Sequence, residues 1–484
     1  MSILDQLERQ GVKPQRLVAD SRRVQPGDVF VAFPGAQVDG RDFIAQAVAK
    51  GAAAVIAEVG FPEAQKVGAG GTAIIEVQGL AALSGEIAHR VYGRPSEHLW
   101  LAGVTGTNGK TSVSQWIAQA LNALRHRCAV IGTLGNGFLE SLDESPNTTP
   151  DAITLHAALA GFLARGAEAC AMEVSSIGLD QGRVHGAAFD VAVFTNLTRD
   201  HLEYHGSMAT YAAAKEKLFF VPGLAAAVVN LDDAFGAELA ARLHGRLHLI
   251  GYTLDPARAG DDTLCAENLA MRAAGVEFDL RGVHFAAPVV GRFNVSNLLA
   301  VIGALLARGE GLGDIAAALH SIQPPPGRMQ ALGGRDEPLV VVDYAHTPDA
   351  LDKALGVLRE TAAARGGRLV CVFGCGGDRD PGKRPQMGAI AERLADRVVL
   401  TSDNPRSEDP HTIIEGIRAG LERSPLIEAE RGAAIAGVVA AADARDVILL
   451  AGKGHEPYQE IAGVRHPFSD IEAAKSALAG RRPR

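Results

Sequence analysis

Cysteine is scarce. Five residues in a chain of 484, Cys128, Cys170, Cys265, Cys371 and Cys375, are too few and too scattered to build a disulfide framework. No apolar run approaches the ~20 residues that would span a bilayer. The N-terminal stretch MSILDQLERQ lacks the apolar centre of a secretory signal. No basic block is present either. The 47 Lys and Arg residues are spread among 56 Asp and Glu residues for a net charge of -9, so no nucleic-acid-binding surface is expected. A local site can still attract an anionic ligand. Internal repeats and low-complexity tracts are missing too. What is there, 47% hydrophobic and 21% charged residues, suits ordinary buried cores. At roughly 150 residues per domain the length predicts about three domains. A cytoplasmic multidomain protein without membrane insertion is the expectation.

The pattern divides into three blocks. Residues 1–98 show a strand-like run at Asp28–Phe33, a turn at Pro34-Gly35, a helical pattern from Asp42 to Lys50 stopped by Gly51, and an apolar strand at Ala53–Ala57. The switch from alternating to helical periodicity reads as a small α/β domain. The second block, 99–327, starts at the strand Leu99–Val104 and ends in Gln323-Pro-Pro-Pro-Gly327, which no helix or strand interior accepts. In the third block, 328–484, four apolar runs (339–343, 369–373, 397–400, 447–450) each lead into a polar loop marked by Gly or Pro. Helical stretches separate them. One runs from Pro348 to Glu360, with Thr347 suited to the N-cap and Pro348 to the first position. Such alternation implies a parallel sheet whose ligands bind beyond the carboxyl ends of the strands, so all four loops should share one rim.

The strongest local signal is GVTGTNGKTS at 103–112, between a strand and a helix expected over Ser112–Ala123. Its glycines at 103, 106 and 109 differ from the general phosphate-loop spacing, which wants glycine where Val104 stands. An ordinary glycine-rich strand–helix turn is the plain alternative. The strand–loop–helix setting favours backbone N–H groups closing on phosphates, with Lys110 reaching the terminal phosphates and Thr111 holding Mg²⁺.

Three further features surround it. Glu173 ends the buried run Ala169–Val174, where a carboxylate can serve Mg²⁺ or simply a salt bridge. His201 and His205 follow the strand Val191–Leu197 in a polar loop. On the helix around Tyr211, that residue shares a face with Lys215 and Leu218 while Lys217 points away, and an apolar-face lysine ordinarily snorkels to water.

Together these residues resemble the Mur ligases, ATP-dependent amide-forming enzymes of bacterial peptidoglycan assembly. The motifs that carry the likeness are GTNGKTS (106–112), NTTP (147–150), EVSSIGLDQGRV (173–184), NLTRDHLEYHG (196–206), YAAAKEKLF (211–219), GRFNVSNLLA (291–300), PGRMQ (326–330), DYAHTPDAL (343–351), GCGGDRDPGKRP (374–385), DNPR (403–406) and GKGHE (452–456). They follow the family order over nearly the whole chain. DSRRVQPGDVFVAFPG (20–35) and DNPR look most like the member that adds meso-diaminopimelate to UDP-N-acetylmuramoyl-L-alanyl-D-glutamate.

The resemblance implies an α/β fold of three domains: a small N-terminal domain that binds the UDP substrate, a central P-loop ATPase-type parallel-sheet domain and a C-terminal Rossmann-like domain for the amino acid. It implies that ATP phosphorylates the free D-glutamate carboxylate and that the amino-acid amine then attacks the acyl phosphate. Gly106, Thr107, Asn108, Gly109, Lys110, Thr111, Ser112, Asn297, Arg328 and Asp343 would bind ATP. Mg²⁺ would be held by Thr111, Glu173, His201 and Lys215, the last as a carbamate (N6-carboxylysine). Lys110, Glu173, His201 and Lys215 would be the catalytic set. The UDP-muramoyl dipeptide falls to Ala19, Ser21, Ala36, Gln37, Val38, Asn147, Thr148, Thr149, Ser175, Gln181 and Arg183. Diaminopimelate falls to Arg379, Asp403, Asn404, Pro405, Arg406, Gly452 and Glu456, and His346 has proximity only. A monomer is expected. The competing readings are a lysine-adding relative, a folylpolyglutamate synthase, which leaves the N-terminal block and DNPR unexplained, and a P-loop switch NTPase.

Overall fold

A computed structural model describes residues 2–35, 38–60, 72–260, 262–272, 275–334 and 336–481. Ala36 and Gln37, two of the expected uridine-side positions, lie outside the described residues. The α/β class and the three-domain architecture stand.

The N-terminal part holds four parallel strands in sequence order, Leu17–Val18, Val29–Ala32, Ala54–Glu58 and Ala73–Val77. The helical pattern expected over 42–50 splits into a 3-10 turn, Gly40–Phe43, and a short helix, Ile44–Ala49. Gly51 ends it in the left-handed region at φ 93°, which costs a glycine little.

The central sheet has nine strands, and its order fixes the site. Trp100–Thr105 lies between Val191–Phe194 and Ala169–Glu173, parallel to both. The phosphate loop therefore leaves the middle of the sheet, with Glu173 at the end of one neighbouring strand and the segment after Phe194 beyond the other. The helix begins earlier than expected, at Lys110, because Gly109 with φ 87° turns the chain directly into it. Its apolar side packs with the helix Arg292–Arg308 over the sheet, burying Trp116, Ile117, Leu121, Leu298 and Leu305. The sequence reading missed the antiparallel additions: the edge hairpin Gly135–Phe138 and Ser141–Asp143, and a separate sheet of Glu267–Arg272, Gly275–Leu280 and Val283–Ala287. The edge hairpin is short and glycine-rich, but in Gly275–Leu280 the buried Val276, Phe278 and Leu280 alternate with Glu277 and Asp279, a strand pattern the sequence reading passed over.

The C-terminal sheet runs in the order Gln330–Gly333, Leu339–Asp343, Val447–Ala451, Leu369–Phe373, Arg397–Leu400, Leu426–Ile427. The four expected strands are its middle four and are mutually parallel, so their loops do share one edge. The strand latest in sequence among them inserts between the first two, which sets the loops after Asp343, Phe373 and Ala451 side by side. Thr347 caps the helix Pro348–Arg365, its Oγ1 accepting from the Ala350 N–H at 3.2 Å. That helix extends five residues past Glu360 because Thr361-Ala-Ala-Ala-Arg365 favours helix and buries Ala362. Gly366 at φ 64° stops it.

Beneath these loops Arg431 and Asp470 form a wholly buried ion pair at 2.7 Å. Burial works against the arginine's charge, but Asp470 outweighs it and raises the Arg431 pKa. The same guanidinium donates to the Ala451 carbonyl at 2.9 Å and the Ser402 carbonyl at 3.3 Å, fixing the roots of two site loops. Arg431→Met should cost about 3–5 kcal/mol, because Asp470 is then buried unpaired. Urea unfolding of the full chain measures it. The double variant with Asp470→Asn should recover part of the loss, and an unshifted transition in the single variant would refute the account.

Candidate active site

Where the central and C-terminal domains face each other they enclose a cavity of about 1310 Å³. The phosphate loop forms one wall. Lys110 lies back along the loop, donating to the carbonyls of Gly106 at 2.9 Å and Thr107 at 2.8 Å, and burial lowers its pKa. Gly106 has no room for a side chain: a Cβ there would stand 1.9 Å from Thr195 Oγ1. The Asn108 carbonyl accepts from Thr195 and Asn196, and its amide donates to Asp349 of the C-terminal domain at 2.9 Å. Asn297 lies against Gly109 so closely that a Cβ would meet its Oδ1 at 2.5 Å.

Beside the loop, Thr111 donates its hydroxyl to Glu173 at 3.0 Å, and Thr133 donates both its amide and its hydroxyl to the same carboxylate. The Arg328 guanidinium donates back to Thr111 Oγ1 at 3.0 Å while lying over the Tyr344 ring, so a cation already sits on that oxygen. Asp343 accepts the Met329 N–H at 2.7 Å, and burial raises its pKa.

Lys215 is 1% exposed, the most unusual placement in the site. The helix Met208–Glu216 buries it together with Tyr211, whose ring lies 4.3 Å from the ammonium, and Leu218 is buried just beyond. Lys217 does point away, to Asp180 at 2.7 Å. Lys215 donates to the Gly106 carbonyl at 2.8 Å. Its pKa falls far below the ordinary lysine value, first through burial and then through the nearby charge of Lys110. Snorkelling does not occur, since the helix face that carries it is sealed by the phosphate loop.

His201 lines the same cavity, its Nε2 3.5 Å from Asp200. Asp200 also faces His346 at 3.6 Å and Lys383 at 4.0 Å, both from the C-terminal domain. Burial opposes its ionisation, yet His346, His201 and Lys383 together hold its carboxyl well below the usual range. Arg199 and Asp380 make a second link between the domains, at 2.8 Å and 3.1 Å.

The opposite wall carries Arg379, Asp403, Asn404, Arg406, Gly452 and Glu456. Gly452 has φ 112°, and a Cβ there would lie 2.4 Å from the Asp403 carboxylate. Pro405 shapes the loop without lining the cavity, and its carbonyl stands where a Cβ on Gly377 would be.

Thr148 and Ser175 also reach the cavity, with Thr148 Oγ1 3.0 Å from the Thr133 hydroxyl. Thr149, Gln181 and Arg183 form a separate polar ladder outside it. Arg183 donates to Gln181 at 2.7 Å and to the Thr149 carbonyl at 2.8 Å. Asn147 is exposed on the same loop. The described N-terminal positions Ala19, Ser21 and Val38 do not line the cavity. Ser21 is buried and donates to Gln46 at 2.8 Å, Ala19 is exposed, and Val38 is 62% exposed. Sequence reasoning singled out neither Thr133 nor Lys453. Thr133 follows a strand of the same rim, and Lys453 stands in the GKGHE motif three residues before Glu456.

Family descriptions match in three segments: "Mur ligase family, catalytic domain" over 15–92, "Mur ligase middle domain" over 104–305, and "Mur ligase, glutamate ligase domain" over 327–454. The chain belongs to the Mur ligase family. A Mur ligase of Ectopseudomonas mendocina, named UDP-N-acetylmuramoyl-L-alanyl-D-glutamate--2,6-diaminopimelate ligase, is 56% identical over 97% of this chain and 96% of its own. A solved structure of a ligase with the same name is 39% identical, covers 96% of this chain and 95% of its own, and superposes with a TM-score of 0.67. MurF ligase from Thermotoga maritima, solved with ADP, has a TM-score of 0.67 over 99% of this chain and 98% of its own, and at 19% identity shows the shared fold alone. As a Mur ligase the protein uses ATP in peptidoglycan synthesis. Among the described residues no helix is long and apolar enough to cross a membrane.

Proposed function

We propose that this Mur ligase joins meso-diaminopimelate to UDP-N-acetylmuramoyl-L-alanyl-D-glutamate in the cytoplasm, as a monomer, supporting wall growth during the cell cycle and division. The blocks 1–98, 99–327 and 328–484 serve the UDP substrate, ATP and the amino acid in turn. One observation carries the reading. A phosphate loop and a wall bearing both arginines and Glu456 face each other across one cavity.

The chemistry is the making and breaking of an acyl phosphate. A carboxylate oxygen of the D-glutamate attacks the γ-phosphorus of ATP, and ADP leaves. The amine then attacks the acyl carbon, loses a proton and expels phosphate. The chain's part is positioning and charge neutralisation. Lys110 and the loop amides hold the phosphates, while Asn297, Arg328 and Asp343 hold the base and ribose side. Thr148, Thr149, Ser175, Gln181 and Arg183 hold the muramoyl peptide. Enclosure between two domains keeps water from the acyl phosphate.

Among the described residues no three His, Cys, Asp or Glu side chains converge as a metal site. Mg²⁺ fits such a place, since it takes one or two protein oxygens together with substrate phosphates and water. Thr111 and Glu173 would hold one ion, and His201 with a carbamylated Lys215 the other. The 3.0 Å approach of the Thr111 hydroxyl to the Glu173 carboxylate supports that reading, because it sets two oxygens side by side at the phosphate loop. Bound there, Mg²⁺ supplies charge neutralisation at the phosphates.

Phosphate release should require ATP, the UDP-muramoyl dipeptide and diaminopimelate together, with a product mass equal to the dipeptide plus one diaminopimelate residue. Steady hydrolysis indifferent to both acceptors would instead favour a P-loop switch.

A further inference from the structure

Lys453 is the only lysine among the described residues of the C-terminal domain that is 0% exposed. It sits behind the amino-acid wall. Its Nζ donates to Asn404 Oδ1 at 3.0 Å and to Glu456 Oε2 at 2.9 Å. Asn404 Oδ1 also accepts the Glu460 N–H at 2.9 Å, so both its lone pairs are used. That settles the amide orientation: Nδ2 must point the other way, and it donates to Glu456 Oε2 at 2.7 Å. One oxygen of Glu456 is thereby filled by two donors, and the other is left to a ligand. The backbone agrees, because Gln459 anchors the Asp403 carbonyl at 2.6 Å on the same loop.

We propose that Lys453 is a positioning residue for amino-acid selection. It fixes the Asn404 amide and restricts Glu456 to accepting one ammonium through Oε1. The inference rests on the reading that this wall binds the amino-acid substrate. Without the lysine cation, Glu456 Oε2 would keep a single donor, the Asn404 amide, and the oxygen of that amide would be held by the Glu460 N–H alone. With it, the wall offers a fixed arrangement of one ammonium acceptor beside the arginines. A buried cation held by two such partners also explains why the motif tolerates lysine at a fully enclosed position: Glu456 supplies the compensating charge.

The test is a steady-state comparison of wild type with Lys453→Met and Lys453→Gln, varying each substrate in turn. Loss of one charge-assisted bond predicts that KM for diaminopimelate rises about tenfold or more, which corresponds to about 1.4 kcal/mol. KM for ATP and for the UDP-muramoyl dipeptide should stay within about twofold, and kcat at saturation should fall less than KM rises. Lys453→Gln, which keeps a donor but not the charge, should fall between wild type and Lys453→Met. An unchanged amino-acid KM overturns the proposal. So does an equal loss for all three substrates, or failure of both variants to fold, since the lysine would then serve the domain as a whole. If wild-type protein does not respond to diaminopimelate at all, it is the function that fails, and the two failures are told apart by that control.

Discussion

Lys215→Ala should lower kcat by roughly 10²–10³-fold, the scale expected when a charge-stabilising group is removed from a closed site. The argument starts from two amines in one dry region. Lys215 and Lys110 both approach the Gly106 carbonyl, at 2.8 Å and 2.9 Å; burial lowers the Lys215 pKa, and the charge of Lys110 lowers it further. A neutral amine has a lone pair with which to attack CO₂, forming an N–C bond and releasing a proton. An ammonium has none. Burial thus prepares Lys215 for carbamylation, and the product reverses the local electrostatics: a carbamate beside Lys110 attracts where an ammonium repelled. It also presents oxygens suited to Mg²⁺ near His201, whose ring lies 6.4 Å from that of Tyr211. Short carboxylic acids should partly restore the alanine variant, since they can place a carboxylate in the vacated space. Mass spectrometry of the wild-type protein under CO₂ should show the added carboxyl. Full activity of Lys215→Ala without additives would end the proposal.

The sequence disclosed the elements whose pattern is local. Thr347-Pro348 marked a cap, Gly109 and Gly51 marked turns, and four Val- and Leu-rich runs marked buried parallel strands that the sheet then aligned along one rim. Lys215 was legible as an oddity, a lysine on the apolar face, although only the fold shows that Gly106 seals it in. What stayed hidden depends on contacts distant in sequence. Thr133 reaches Glu173 forty positions away, Arg328 reaches Thr111 from another domain, and Asp200 collects His346 and Lys383 across the interface. The antiparallel strands were missed for other reasons: the Gly135–Phe138 hairpin leaves little periodicity to read, whereas the alternation of Val276, Phe278 and Leu280 with Glu277 and Asp279 was legible and passed over. Lys453 stood in a quoted motif, yet a lysine beside glycines looks like a surface residue until its burial is known.

Arg406→Ala should abolish the preference for meso-diaminopimelate over L-lysine. The two amino acids differ by a carboxylate at the far end, so selection requires a fixed cation there. Arg406 is built for it. Its backbone adopts φ 52°, and the N–H and carbonyl are held by Glu460 and Ala462 of the hairpin Tyr458–Pro467, at 3.0 Å and 2.7 Å. The side chain donates to the Gly377 carbonyl at 2.7 Å and lies 3.6 Å from Glu460, so the planar fork is oriented before any ligand arrives. A residue whose backbone and guanidinium are both held in this way is a positioned group. Lysine would leave the donors of this fork that Gly377 and Glu460 do not take without a carboxylate partner, a loss that can reach roughly 10⁴-fold in kcat/KM. Truncation removes the reward for diaminopimelate without adding one for lysine. Turnover with diaminopimelate should therefore collapse toward the lysine level, while the lysine rate stays nearly unchanged. Arg406→Lys should recover little, because a single ammonium cannot reproduce two parallel bonds. The measurement is kcat/KM for both amino acids in wild type and both variants, with product masses. Wild-type protein that used lysine as efficiently as diaminopimelate would overturn the amino-acid assignment, while the ligase chemistry would stand on the ATP and UDP-dipeptide dependence alone.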